Sequence, residues 1–156
     1  MLLMLSACSL TGHGRNSTAG APAAEPAAAG SAEPSVPAPR EPARQYHLGG
    51  AASALVTQAH ARAAAGDYPA ATATLERALR IEPENPLAWI ELGRVHLAAG
   101  DPGQADTMGH KALALASGDP SAQADAWRLI SDALRVRGRN QEAADASARA
   151  DTLVPH

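Results

Sequence analysis

Residues 85–105 read NPLAWIELGRVHLAAGDPGQA, and this stretch decides the fold. Asn85 before Pro86 puts a capping side chain in front of a proline suited to a first helical turn. A helical run follows and ends at Gly100, a residue free to take positive φ. A second helical run starts at Pro102. Gly100-Asp101 repeats Gly66-Asp67 at a step of 34 residues, and the same step carries Ala71 onto Ala105 and Ala78 onto Ala112. A step of 38 then carries Trp89 onto Trp127, Gly100 onto Gly138, Ala105 onto Ala143 and Ala112 onto Ala150. Recurrence at such periods marks a stack of supersecondary units.

Each unit holds two helices. Gly66, Gly100 and Gly138 close the first of each pair, and the second are predicted over 69–82, 102–116 and 140–152. Leu75, Ala78 and Leu79 show the i, i+3, i+4 spacing of a buried helical stripe. The four extra residues of the longer step are placed in a loop, Ser117-Gly118-Asp119-Pro120. Composition agrees with close-packed helices. Ala supplies 39 of the 156 residues and Phe is absent, too few large side chains for a thick sandwich or a doubly wound sheet. A formal charge of −3 disfavours a nucleic-acid binder, and no 18-residue apolar run is present to span a membrane.

The repeating part resembles the tetratricopeptide repeat family, whose signature spans 34 residues. The second unit carries it as Trp89, Leu92 and Gly93, then His96 where Tyr is usual, then Ala105 and Ala112. The first unit has Leu55, Tyr68, Ala71, Leu75, Ala78 and Pro83; the third has Trp127, Ile130, Ala143, Ala150 and Pro155. The resemblance implies an all-α fold, an α-solenoid of three helix-turn-helix repeats (52–85, 86–123 and 124–156) within a domain spanning 48–156. Gly93 and the repeated alanines would lie where helices cross closely. Gly109 and Ser147 stand where the family places a large aromatic, so thinner packing is expected there. Trp89 and Trp127 share one repeat position, which favours packing over ligand stacking.

In this family the first helices line a concave face that takes peptides or partner helices. That face would carry Thr57 and His60, then Glu91 and Arg94, then Arg128, Asp132 and Arg135. The three arginines suggest an acidic or carboxylate-bearing partner. The alternative is that these are solvated ion pairs, Arg128 with Asp132 and Glu91 with Arg94. The last unit either acts as its own polar cap or is covered by a second chain, making a homodimer.

Ahead of the repeats, Leu5-Ser6-Ala7-Cys8 resembles the lipobox of bacterial lipoproteins. That resemblance implies a lipidated Cys8, a signal segment over 1–8 and an outer-membrane anchor facing the periplasm. The segment lacks a basic n-region, so part of it is expected upstream of Met1; the alternative is a cytoplasmic protein with an accidental match. Residues 9–47 hold six of the twelve prolines among Ala, Gly, Ser and Glu, the composition of a disordered spacer. Such a spacer reaches roughly 35 Å as a coil and about 120 Å when extended. His47-Leu48-Gly49-Gly50 is expected to lead flexibly into the first helix.

No H-E-x-x-H, nucleophile elbow, phosphate loop or dinucleotide fingerprint occurs, and the histidines lack metal-ligand spacing. No enzyme activity, cofactor or metal is therefore expected. The expected role is an envelope adaptor or assembly factor that binds a protein or peptide. A self-associating structural protein is the alternative.

Overall fold

The computed structural model describes residues 44–154. Cys8 with its lipobox, the spacer as far as residue 43 and the last two residues lie outside the described residues. Among the described residues six helices follow one another: α1 Gly50–Ala64, α2 Tyr68–Ile81, α3 Pro86–Ala98, α4 Pro102–Leu115, α5 Pro120–Val136 and α6 Asn140–Leu153. No strand occurs among the described residues.

The helix boundaries follow from local chemistry. Asn85 caps α3 as expected and Asp119 caps α5, their side chains accepting from Leu87 N and from Ser121 N and Ala122 N. Asp67 and Asp101 cap α2 and α4 in the same way. The turn within each repeat is a Schellman motif in three copies. Gly66, Gly100 and Gly138 have φ of 80°, 82° and 75°. Around them Asp67 N, Asp101 N and Arg139 N donate back to the carbonyls of Arg62, His96 and Leu134.

The four extra residues do not lengthen a loop. The turns before α3 and α5 are the same length, but α5 has 17 residues against 13 in α3. One added turn at the start of α5 keeps Trp127 close to the helical phase of Trp89, because four residues are nearly a full turn. The third repeat therefore begins at Pro120 rather than at residue 124.

Within each repeat the two helices pack antiparallel. Along the stack α1 touches α3 and α3 touches α5, whereas α2, α4 and α6 touch only first helices. The layer that touches is the more closely spaced one, so α1, α3 and α5 lie on the inside of the curve.

Close approach rests on small residues. Ala52, Ala59, Ala71, Ala78, Ala88, Ala105, Ala112 and Ala150 are fully inaccessible. A Cβ on Gly93 would stand 2.4 Å from Leu129 Cδ2 and 3.1 Å from Met108 Cβ. The expectation of thin packing at Gly109 is corrected: a Cβ there would meet Ile130 Cγ1 at 2.6 Å. Ile130 from α5 occupies the space that the family's aromatic would fill, and is itself 2 % exposed.

Trp89 and Trp127 pack against the core clusters but are only half-buried. Each carries a cation from the following second helix, Lys111 Nζ at 5.7 Å from the Trp89 ring and the Arg149 guanidinium at 4.7 Å from the Trp127 ring. In α6 only Ala143, Ala146 and Ala150 are buried. Its exposed positions are Asn, Gln, Glu, Ala, Asp, Arg and Thr, the composition of a polar end cap.

Candidate functional site

The inner layer places the expected groove residues on three neighbouring helices. Thr57 on α1 is exposed and turns its hydroxyl back to Ser53 O at 3.1 Å, joining no network with α3. His60 crosses to α3, where Nε2 lies 2.7 Å from Glu91 Oε2. The other oxygen of Glu91 accepts from Arg94 at 2.6 Å. Glu91 is thus held from two sides, and its side chain is only 14 % exposed.

On α5 the pairing differs from the expected Arg128–Asp132 bridge. Arg128 donates to Asp125 at 3.0 Å, and Asp132 accepts from Arg135 at 2.6 Å. Each carboxylate bonds the arginine three residues after it, the distance of one turn. The face therefore carries three arginines matched by three acids, so a carboxylate-bearing partner would meet paired arginines. The i, i+3 recurrence of Glu91–Arg94, Asp125–Arg128 and Asp132–Arg135 was legible in the sequence; Asp125 was missed as a member of it.

Between α3 and α5 the inner face opens into a cleft of about 390 Å³. Its floor is Leu97, Ala98 and Leu129, and its rim is Arg94, Arg128 and Asp132. The structure thus brings together three of the seven expected residues. His60, Glu91 and Arg135 flank the cleft through their ion pairs, and Thr57 stands apart. Leu97 and Leu129 pack with Ala105 and Ala133 in the core, and no local pattern in the sequence sets them apart as the floor of a cleft. An apolar floor with charges of both signs at its rim suits a protruding aliphatic side chain set in a polar chain, as in a docked peptide.

The outer side carries a second concavity of about 550 Å³, with Leu79, Trp89, Leu92 and Met108 at its base and Glu76, Arg80, His96 and Gln104 around it. One repeat later the equivalent space is about 290 Å³ and is crossed by side chains. There Arg139 pairs with Glu142, and His110 meets Trp127 edge-on at 6.4 Å between ring centroids. No group of His, Cys, Asp or Glu able to hold a metal occurs among the described residues. Among them too, no helix is long and apolar enough to cross a membrane.

Comparison with known proteins adds two findings. A tetratricopeptide repeat family model matches residues 62–124. Among solved structures, the globular C-terminal domain of P. aeruginosa LpoP is similar, at 38 % identity and a TM-score of 0.64 over 67 % of this chain and 99 % of that one. No curated protein matches this sequence.

Proposed function

This chain belongs to the tetratricopeptide repeat family, and from that premise we propose that its helical domain is a non-catalytic docking module. An extended peptide or helix of a partner protein lies along α1, α3 and α5. The observation that carries the reading is the α3–α5 cleft, where an apolar floor crosses the junction of two repeats beside the ion-paired Arg94, Arg128 and Asp132. An aliphatic side chain of the partner fills the space over Leu97, Ala98 and Leu129, and its neighbouring polar groups exchange with Arg94, Arg128 and Asp132. The domain works in the bacterial envelope, tethered by lipidated Cys8 through the proline-rich segment. Two things support this: the lipobox resemblance, and the likeness to a domain described as the globular C-terminal part of another protein.

The test is photo-crosslinking in the native envelope from a reactive amino acid at Ala98, beside one at Ala148 on the exposed face of α6. A discrete adduct from position 98 alone supports the cleft. The same adducts from both positions, or none from 98, reject it. Cys8→Ser in the protein expressed from its own gene should move it from the membrane fraction to the soluble one. Unchanged fractionation overturns the anchor.

A further inference from the structure

The polypeptide preceding α1 does not leave the domain at the free end of that helix. Residues 44–48 run along the edge where second helices hand over to first helices, correcting the expectation of a flexible lead through His47-Leu48. Arg44 N–H donates to Gly118 O at 2.7 Å and Tyr46 N–H to Asp119 Oδ2 at 2.7 Å. The Tyr46 hydroxyl donates to Leu115 O at 2.9 Å. Asn85 Nδ2 donates to His47 O at 2.9 Å, and Gly49 N–H to Glu82 Oε1 at 2.9 Å.

Two of these partners are the helix caps of α3 and α5, which occupy the same position in successive repeats. Each uses one side-chain atom for its own helix and the other for the strap. Asp119 Oδ1 serves Ser121 N and Ala122 N while Oδ2 serves Tyr46 N. Asn85 Oδ1 serves Leu87 N while Nδ2 serves His47 O. Asp119 is 3 % exposed, and a carboxylate buried to that degree needs a donor on each oxygen. The Tyr46 amide supplies the one that its own helix cannot. α1, in turn, gains support that its own sequence does not supply. It starts Gly49-Gly50 without a side-chain cap and buries only Ala52, Val56 and Ala59.

We propose that Arg44–Leu48 is a clasp that sets where the N-terminal tether departs. The preceding chain starts beside Gly118 at the α4–α5 turn, part-way along the solenoid edge. Tension on that chain enters at the cap of α5, and α1 is not peeled from the stack until the clasp opens. The clasp stands on the hydrogen bonds alone, independent of the docking role and of the lipid anchor.

Asp119→Asn in the full chain separates the clasp from the cap. Asparagine still caps a helix through its carbonyl oxygen, but its amide then faces the Tyr46 N–H donor. Asp101→Asn, at a cap with no strap, is the control. Loss of a hydrogen bond to a buried charge should speed amide exchange at Tyr46 and tryptic cleavage after Arg44 by about tenfold or more. The control should stay within about twofold of wild type. A second measurement uses Arg44→Cys with Gly118→Cys in a Cys8→Ser background, since a Cβ at 118 would lie 3.6 Å from that of Arg44. That separation falls within disulfide range, and because Gly118 has φ 83°, where a side chain strains the turn, Gly118→Cys alone is carried as the reference for folding. This pair should oxidise readily, whereas Arg44→Cys with Gln58→Cys should not. Equal exchange in the two Asp→Asn variants, or a 44–118 pair no faster than 44–58, overturns the clasp.

Discussion

Replacing Gly93 by Ala tests the packing argument at its tightest point. In an exposed helix the change should stabilise by about 1 kcal/mol, because glycine is the weaker helix former. In α3 the new methyl would lie 2.4 Å from Leu129 Cδ2, 3.1 Å from Met108 Cβ and 3.3 Å from Ala105 O. Only the first of these atoms is the far end of a side chain, and Leu129 is 3 % exposed with little room to turn. Relief therefore requires α3 to move away from α4 and α5, and such overpacking costs about 1–3 kcal/mol. The clash outweighs the propensity gain, leaving a net loss of about 1 kcal/mol or somewhat more. For a domain of this size that lowers Tm by roughly 4–8 °C. Thermal unfolding followed by circular dichroism is the assay. Gly103→Ala, where the methyl meets only Asp101 Oδ1 at 3.5 Å, is the control and should not lose stability. A double-mutant cycle with Leu129→Ala sharpens the result. The double variant should lose less than the sum of the two single losses, because truncating Leu129 opens the space that the methyl needs. A Gly93→Ala protein melting above wild type, or strictly additive losses, would mean that α3 is not tightly seated on α4 and α5.

Other consequences are as direct. Ser131 is buried and its hydroxyl donates to Ala143 O at 2.8 Å across the last helix pair, so Ser131→Ala should cost about 1 kcal/mol in urea unfolding. Arg135→Ala removes an exposed ion pair with Asp132 and should change stability by less than about 0.5 kcal/mol. If both effects prove equal, the separation of core from surface drawn here is wrong. Changing Arg94, Arg128 and Arg135 together to Glu should leave the helical circular dichroism intact while abolishing the crosslink from position 98; a retained adduct counts against the cleft. The polar outer face of α6 predicts a monomer in sedimentation velocity at high concentration. A concentration-dependent dimer would revive the reading in which a second copy covers the third repeat.

Most of the fold was legible because its signals are local. The capping pairs Asn85-Pro86 and Asp119-Pro120, and the three glycines that turn with positive φ, mark helix ends by chemistry confined to a few residues. The alanine register marks helix crossings because a small residue is required wherever backbones approach. The candidate site was less legible. Arg128 could reach a carboxylate one turn in either direction, and rotamer and packing chose Asp125 over Asp132. Leu97 and Leu129 look like core in sequence, and only the offset between α3 and α5 leaves them flooring a cleft.

Periodicity, caps and small-residue spacing in the chain already set six helices and their pairing, since each acts within a turn or a repeat, whereas the inward-facing layer was implied only by the family resemblance. Two things came from tertiary contact alone. Ile130 made Gly109 a tight contact rather than a gap. Residues 44–48, which read as the end of a spacer, were held by caps of α3 and α5. Each of these depends on atoms tens of residues apart meeting within a few ångströms, and no local pattern in the chain encodes such a meeting.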